Sequence, residues 1–409
     1  MAENIKLGHN SINLFQLEEN YFNLNSGSYG IIPKYVLQKY REYQDKIDKN
    51  TEKYFRYFFK DQLNETREAI SEYVNADVSN IVLVHNATDG INTILKSMLK
   101  RKQDKLLIFS VAFGTVKKTA KYLKDTIGIE VIEIYLDEET LNSDEKILEK
   151  LNRCLKTNSD IKLASIDHIS STPVKVFPVE PIIKVLRDYG IPVFIDGAHA
   201  AGQIPLNLKE MNPDFYISNF HKWCYSPKSC CFLYVSPNFH TSIHSNSIAK
   251  LYESGFTNEF SYTGCRDYAP YLSVRDAIEF RKKIGEENII NYNNNLAIQV
   301  GNLVSKIWGT ELLIKAPQSC AMVDVRIPCV DDKIIEEATK KLMLDYNIST
   351  LTYKFTNEKY YARFSSQIIN EINDYKYGAE TFLRIITDLL NNKNKSNKML
   401  NKYGSSPKF

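Results

Sequence analysis

The chain has 409 residues, of which 43% are hydrophobic and 25% charged, and its formal net charge at pH 7 is +3. This composition is typical of a globular protein with a large core and excludes a wholly disordered chain. A net charge so close to zero gives no general attraction for nucleic acid or an anionic membrane surface. The sequence also has no apolar run near the ~20 residues of a membrane-spanning helix.

The N-terminus and the cysteines favour an intracellular protein. The first residues, MAENIKLGHNSINLFQLEENY, lack the basic and apolar regions of a secretory signal. The seven cysteines are odd in number and include no Cys-x-x-Cys pair, so neither a disulfide framework nor a zinc site is indicated. We therefore expect a cytoplasmic protein without a bound metal.

In chain order, the pattern begins with an extended arm over residues 1–30 and a helical stretch from Pro33 to Val74. Short apolar runs then alternate with amphipathic stretches. The predicted strands are 80–86, 104–110, 128–136, 162–169, 191–196, 214–220 and 230–236, and the helices include 87–100 and 179–190. Alternation of apolar strands with helices predicts a largely parallel sheet that is buried on both faces.

After about residue 270 the pattern changes to that of an α+β domain. A nearly continuous helix is predicted over 273–308, followed by strands at 321–328 and 360–365 and helices at 334–346 and 378–390. We divide the chain into an N-terminal arm that joins the small domain (1–38), a large domain (39–272), a C-terminal small domain (273–391) and a polar tail (392–409). We expect the tail to be disordered.

The strongest chemical signal lies at the ends of two successive strands. IDGAHA places Asp196 and His199 after one strand, and SNFHKW places Lys222 after the next. Ligand sites in open α/β sheets lie at the carboxyl ends of strands, so these side chains should meet. Pyridoxal phosphate (PLP) chemistry needs a lysine that forms a Schiff base and an acid that pairs with the pyridine nitrogen. Taken singly, the acid could be a turn former and the lysine a solvated charge.

The stretch HNATDGINT is a candidate phosphate site. It resembles a strand followed by small residues and a helix, so the backbone N–H groups of Ala87, Thr88 and Asp89 would face an anion. Alternatively, Thr88 is only the N-cap of the helix, and the Asp89 carboxylate would have to turn away from a phosphate. Asn219 and His221, beside the lysine, could donate to the same phosphate.

Three further side chains are candidates because of their positions in the pattern. Phe113 follows a strand and could stack on the cofactor ring, or it could belong to the core. His168 ends another central strand and could lie near the ring hydroxyl, or it could be structural. Arg363 could bind a substrate carboxylate through its planar guanidinium, or it could be a surface charge.

Seven motifs, in this order, resemble those of class V aminotransferase-type PLP enzymes, in the isopenicillin N epimerase-like branch that includes hercynylcysteine sulfoxide lyases and cysteine desulfhydrases. They are NLNSGSYGIIP (23–33), NATDGINT (86–93), DHISSTPV (167–174), IDGAHAAGQIPLNL (195–208), NFHKWCYSPK (219–228), YTGCRDYAPYLSV (262–274) and YARFSSQIIN (361–370). The resemblance implies an α/β protein of PLP fold type I, similar to aspartate aminotransferase. Its large domain would have a mostly parallel sheet flanked by helices, and its C-terminal domain would be a smaller α+β unit.

The resemblance also implies a role for each candidate in cofactor binding. Lys222 would hold the cofactor, Asp196 would pair with the pyridine nitrogen, and His199 would lie beside the ring hydroxyl. The residues that would hold the phosphate are Thr88, Asn219 and His221.

On the substrate side, Arg363 would bind the α-carboxylate of a small amino-acid substrate, with Asn25 nearby and Tyr29 as a further candidate. The family is typically a homodimer with shared active sites. Cys265 would then reach the phosphate of the neighbouring subunit, where relatives usually carry Thr. A thiol is a weaker hydrogen-bond donor than a hydroxyl, so this contact would be weakened.

Several reactions of the family begin with loss of the Cα proton. A cysteine desulfurase needs a mobile cysteine near the carboxylate-binding arginine, and the stretch LTYKFTNEKYYA before Arg363 contains none. β-Elimination needs no such thiol, because Lys222 can remove the proton before the bond from Cβ to sulfur breaks. The resemblance therefore favours a PLP-dependent carbon–sulfur lyase for a cysteine conjugate or sulfoxide, such as hercynylcysteine sulfoxide in ergothioneine biosynthesis.

Other functions stay open. A PLP-dependent epimerase or aminotransferase, or a cysteine desulfhydrase, would use the same scaffold. An epimerase needs a second base, for which Tyr29 or Tyr262 is available. A dimer that has lost catalysis is a further alternative, against which the intact Lys222, Asp196 and Arg363 argue.

Overall fold

The structure is a computed structural model that describes residues 6–355 and 359–403, with side chains up to residue 395. Its strands are β1 (Phe22–Asn23), β2 (Ile81–Val84), β3 (Lys105–Phe109), β4 (Glu130–Ile134), β5 (Ile161–Asp167), β6 (Val193–Asp196), β7 (Phe215–Asn219), β8 (Cys231–Val235), β9 (Met322–Arg326), β10 (Ile348–Ser349), β11 (Leu351–Lys354) and β12 (Tyr360–Ser365). Its helices in the first half of the chain are α1 (Ser26–Tyr29), α2 (Lys34–Lys49), α3 (Thr51–Tyr57), α4 (Phe59–Tyr73), α5 (Ala87–Met98), α6 (Gly114–Thr126), α7 (Glu138–Leu141), α8 (Asp144–Thr157) and α9 (Val179–Asp188). The later helices are α10 (Leu208–Met211), α11 (Phe220–Trp223), α12 (Phe256–Ser261), α13 (Ala269–Leu272), α14 (Val274–Ile284), α15 (Glu286–Trp308), α16 (Asp332–Tyr346) and α17 (Ile372–Tyr403).

The large sheet has the strand order β2-β8-β7-β6-β5-β3-β4. β8 runs antiparallel to its two neighbours, and the other strands run parallel to one another. Every residue of β2, β7 and β8 is buried, because helices cover both faces of the sheet and form a separate apolar core on each face. The predicted α/β fold with a largely parallel sheet is confirmed.

The C-terminal part of the chain has its own small sheet, ordered β11-β12-β9 and antiparallel throughout. It packs against α15, α16 and α17 around a third apolar core. The N-terminal arm is tied to it, because β1 pairs in parallel with β10. The domain boundaries drawn from the sequence stay predictions.

Two expectations about the later helices were wrong. The helix predicted over 273–308 is interrupted at Gly285, whose φ of 101° ends α14 before α15 begins. The tail is helical rather than disordered as far as Tyr403, because α17 continues through it and Lys393 reaches Asp331 at the start of α16. The helical pattern is hard to see beyond Leu390 because the residues there are mostly polar, and residues 404–409 lie outside the described part. Between 6 and 355 and between 359 and 403, no helix is long and apolar enough to cross a membrane.

A buried arginine joins α14 to the two segments that carry the strongest sequence signal. Arg281 is fully buried, and its Nε and Nη2 donate to the two carboxylate oxygens of Glu286, each at 2.7 Å. Its Nη1 donates to the Trp223 carbonyl at 2.6 Å, and Nη2 also donates to the Gly202 carbonyl at 3.0 Å. One guanidinium therefore holds together the turn after β6, the helix α11 and the junction of α14 and α15.

We expect Arg281→Met to lower the free energy of unfolding by about 3–5 kcal/mol, because it removes the ion pair of Glu286 and leaves two buried carbonyls without this donor. Urea denaturation followed by circular dichroism measures this change. Lys283→Met is the matched control on the same helix, since its ion pair with Glu279 is exposed and should contribute less than about 1 kcal/mol. Equal stability of the two variants would contradict the structural role of Arg281.

Candidate active site

The carboxyl ends of β2, β3, β5, β6 and β7 meet at one edge of the large sheet, where a cavity of about 230 Å³ opens. We call it the Lys222 cavity. The sequence-predicted residues that line it are Tyr29, Ala87, Thr88, Phe113, Asp196, His199, Asn219, His221 and Lys222. A larger groove of about 860 Å³ lies between the N-terminal arm and α16. The titratable side chains converge on the smaller cavity, so we place the chemistry there.

Lys222 lies on the one-turn helix α11, directly after β7. Its Nζ is 3.0 Å from His199 Nε2. Burial, with a further effect of the Arg363 charge, lowers the pKa of Lys222 to about 8. Burial and the nearby lysine also hold the pKa of His199 well below its ordinary value, so the imidazole is neutral. The cavity thus holds an amine that can lose its proton near neutral pH.

Two carboxyl groups lie side by side on the floor of the cavity. Asp196 on β6 is in register with Asp167 on β5, and both are buried. Burial raises the pKa of both groups, and the charge of Asp196 pushes the pKa of Asp167 further up. Asp196 Oδ1 accepts from the Ala198 N–H at 3.0 Å, while its Oδ2 has no hydrogen-bond partner among the described residues. This arrangement leaves one oxygen of Asp196 available to a ligand.

The N-terminus of α5 differs from the sequence prediction. Asn86, not Thr88, is the N-cap, and its side chain accepts from the Asp89 N–H at 3.0 Å. The Ala87 N–H donates to Asn219 Oδ1 at 3.0 Å. In this structure the N–H groups of Ala87 and Asp89 both have partners within the protein, and the predicted contact of this turn with an anion stays a prediction.

The Asp89 side chain is turned away from the cavity. Its carboxylate contacts His85 Nδ1 at 3.1 Å and accepts from Asn246 Nδ2 at 2.8 Å. At the cavity itself, burial lowers the pKa of His221 to about 4, so this imidazole is neutral. His221 lines the cavity, and its Nδ1 is buried and has no partner in the described ranges. Its contact with a phosphate stays a prediction.

Arg363 approaches from the small sheet and is almost fully buried, not a surface charge. Its Nη2 donates to Asn25 Oδ1 and Ser28 Oγ, both at 2.8 Å, and its Nη1 donates to Ser171 Oγ at 2.8 Å. Burial lowers the pKa of the guanidinium to about 10, which leaves it charged at neutral pH. Ser28 and Ser171 also line the Lys222 cavity, so the guanidinium lies just behind its wall.

The N-terminal arm is seated closely on α11. Gly30 has a φ of 67°, and a Cβ atom there would lie 1.7 Å from the His221 carbonyl oxygen. The close approach brings Asn25 and Ser28 to Arg363. It also places Tyr29, whose side chain is 74% exposed, at the mouth of the cavity.

The structure does not bring His168 and Cys265 to the cavity. His168 Nδ1 lies 2.8 Å from the Tyr216 hydroxyl, on the opposite face of β5 from Asp167, and burial lowers its pKa to about 4. Cys265 is exposed in a loop and does not line the cavity of its own chain. Phe113, in contrast, is at the cavity and 42% exposed, so it does not belong to the core.

Sequence reasoning did not single out Ser28, Asp167 and Ser171, which line the cavity, or Trp223, which donates to His199. Each lies inside a motif that was recognised, so the motif was the available signal. Asp167 and His168 are neighbours in DHISS, and successive side chains at a strand end face opposite sides, so the motif alone does not show which of the two enters the cavity.

The residues of the cavity fit PLP. Asp196 Oδ2 is a buried acceptor without a partner among the described residues, as a pyridine N–H requires, and the Thr88 hydroxyl lines the cavity as a donor for a phosphate. Lys222 supplies the amine. No group of three or more His, Cys, Asp or Glu side chains in the described part of the chain could hold a metal ion.

Comparison with known proteins identifies the family that the sequence motifs resemble. The family described as aminotransferase class-V matches residues 22–350. The chain is 33% identical over 396 residues to the hercynylcysteine sulfoxide lyase of Schizosaccharomyces pombe, with 93% of this chain and 98% of that protein covered. It is 28% identical over 399 residues to an L-cysteine desulfhydrase of Arabidopsis thaliana, with 89% and 88% covered.

The fold is also that of solved structures. A cystine C–S lyase, C-DES, determined with its product cysteine persulfide, superposes with a TM-score of 0.78 at 18% identity, covering 89% of this chain and 98% of that one. This likeness confirms the expected fold. With the match over most of its length and the fitting cavity, the chain belongs to the class V aminotransferase family of PLP-dependent enzymes.

Proposed function

We propose that this protein is a PLP-dependent carbon–sulfur lyase that performs β-elimination on a cysteine sulfoxide conjugate. The observation that carries the proposal is the Lys222 cavity, in which a half-buried amine lies near a buried arginine and no cysteine lines the wall. All seven cysteines lie within the described part of the chain. The similarity to a hercynylcysteine sulfoxide lyase supports hercynylcysteine sulfoxide as the substrate.

The substrate carboxylate would be bound by Arg363. Four of its five N–H groups are in contact with Asn25, Ser28 and Ser171, and the Nε–H has no partner in the described ranges. The two serine hydroxyls can turn towards an incoming carboxylate, whereas Asn25 Oδ1 keeps the guanidinium plane fixed. A charge-assisted contact of this kind orients the amino acid so that its Cα–H bond points towards Lys222.

Lys222 would move the proton. When bound, PLP supplies an electron sink for the electron pair of the Cα–H bond. The neutral Nζ of Lys222 takes the Cα proton, and the bond from Cβ to sulfur then breaks with its electron pair leaving on sulfur. The three-carbon enamine that remains is hydrolysed by water to pyruvate and ammonia. Asp196 would hold the pyridine end of the cofactor through its unpartnered Oδ2.

The lack of a cysteine among the residues that line the cavity favours elimination from a sulfoxide over a mechanism that forms a persulfide on the protein. Sulfur that leaves as a sulfenate needs no protein thiol to accept it. Of the cysteines, Cys265 is exposed in a loop and Cys329 is buried in the small domain, and neither lines the Lys222 cavity. We also propose a homodimer, in which the exposed Cys265 loop would be available to a neighbouring subunit.

The first test is release of pyruvate by the PLP-loaded protein. We expect pyruvate from hercynylcysteine sulfoxide, less from an S-alkylcysteine sulfoxide and least from cysteine. In Lys222→Ala the rate should fall by at least about 100-fold, because the base is lost. Absence of pyruvate, with exchange of the Cα hydrogen into solvent still occurring, would contradict a lyase and favour an epimerase or an aminotransferase.

The lowered pKa of Lys222 predicts how the rate of PLP binding to this lysine depends on pH. The neutral amine reacts with the aldehyde, so the rate of capture by cofactor-free protein should rise with pH and level off above about 8. Stopped-flow absorbance measures this rate. A rate that still rises at pH 9–10 (about the range of an ordinary lysine) would contradict the lowered pKa of Lys222.

Arg363→Lys should raise KM by about 10–100-fold, because a lysine cannot reproduce the paired contacts of the guanidinium. Steady-state pyruvate assays measure this effect. Arg384→Lys on α17 is the matched control, since Arg384 lies against the Tyr346 ring, far along the chain from the cavity residues. An unchanged KM in Arg363→Lys would mean that the substrate carboxylate binds elsewhere.

A further inference from the structure

His199 has a second partner that neither the family resemblance nor the proposed reaction uses. The indole N–H of Trp223 donates to His199 Nδ1 at 3.3 Å, on the side of the ring opposite to Lys222. Both side chains are buried. Trp223, His199 and Lys222 therefore form a continuous chain of hydrogen bonds that ends at the amine in the cavity.

The chemistry of the indole decides the direction of this chain. An indole N–H can only donate, so His199 Nδ1 must be an acceptor and carry no proton. The imidazole is neutral, because burial holds the pKa of His199 well below its ordinary value. A neutral imidazole has one N–H, and that proton must therefore be on Nε2, which faces Lys222.

The direction has a consequence for the amine. An Nε2–H group 3.0 Å from Lys222 Nζ can donate to the lone pair of a neutral amine. A protonated Lys222 has no lone pair, so its N–H groups and the Nε2–H of His199 would both be donors and could not bond to each other. We propose that Trp223 is a positioning residue: its indole N–H fixes the tautomer of His199, so that the imidazole presents only a donor to the nitrogen of Lys222.

The surroundings hold Trp223 in this orientation. Its carbonyl accepts from Arg281 Nη1, and its ring packs with Ile169 and Met322 in a small apolar core. Gly27 of the arm also lies against the indole. The approach is so close that a Cβ atom at position 27 would be 2.9 Å from Trp223 Cζ2. The indole therefore cannot turn away from His199 without displacing its neighbours.

Other charged groups also shift the pKa of Lys222, and a test must keep these groups unchanged. Arg363 lowers the pKa of Lys222, whereas Asp196, Asp167 and Cys231 raise it. Arg363 and His221 lower the pKa of His199. None of these side chains changes when only the indole N–H is removed, so a difference between variants reports the tautomer.

The test uses the PLP-loaded protein and two substitutions at position 223. Trp223→Phe removes the N–H and some volume. Incorporation of benzothienylalanine at position 223 replaces the N–H by sulfur and keeps the shape, which guards against a folding defect. Trp308→Phe is the matched control, because Trp308 is the other tryptophan and donates to the Ala379 carbonyl in the small domain.

Two readouts are independent of activity. Nitrogen-15 NMR of histidine-labelled protein should place the His199 proton on Nε2 in the wild type and in Trp308→Phe, and on both nitrogens or on Nδ1 in the two position-223 variants. The visible absorbance of PLP bound to Lys222 changes when the linking nitrogen gains a proton. Its midpoint should rise by about one to two pH units in both position-223 variants, since an acceptor then faces that nitrogen.

An unchanged midpoint in the benzothienylalanine protein, or a His199 proton that stays on Nε2 there, would overturn the proposal. A shift in Trp223→Phe that is absent from the benzothienylalanine protein would assign the effect to lost volume and overturn it as well. The inference rests on cofactor binding at Lys222 and not on the proposed substrate. Failure of pyruvate release with a shifted midpoint would therefore overturn the proposed function alone.

Discussion

A partly buried amine at the cavity, with an imidazole as its hydrogen-bond partner and no ion pair given for it, is the constraint on which the site depends. No carboxylate of the described residues lies within ion-pair distance of Lys222, and its hydrogen-bond partner is an imidazole. Removing a charged amine from water without a counter-ion is costly, so the pKa of Lys222 is lowered to about 8 and the amine loses its proton more easily than an ordinary lysine. The surrounding protein is consistent with a neutral amine, because His199 is neutral and the nearby Arg363 disfavours a second positive charge.

The charges that the reaction needs are divided between two parts of the fold. Asp196 lies at the edge of the large sheet, and Arg363 lies on the small sheet with only uncharged groups, Asn25, Ser28 and Ser171, bonded to it. Separation of the two charges by the cavity keeps the arginine available to an external carboxylate. The arrangement depends on the N-terminal arm, which supplies two of the three partners and is held against α11 at Gly30.

The local pattern of the sequence predicted the central strands to within a few residues, because strands buried on both faces are continuous apolar runs. It did not predict β1 and β10, since each has two residues and exists only through pairing between distant parts of the chain. It also missed the break at Gly285, where the helical periodicity continues on both sides, and the helical part of the tail, where no apolar face marks the helix.

The sequence by itself determined the family, the cofactor and the residue types at the strand ends, because Asp196, His199 and Lys222 directly follow strands in motifs that the family shares. Tertiary structure alone decided where the side chains point. Asp167 enters the cavity and His168 does not, because neighbouring residues of a strand face opposite sides. The N–H group of Ala87 donates to Asn219, 132 residues further along the chain. Hydrogen bonds of this kind depend on distances between elements that are far apart in the chain, and the motifs do not contain that information.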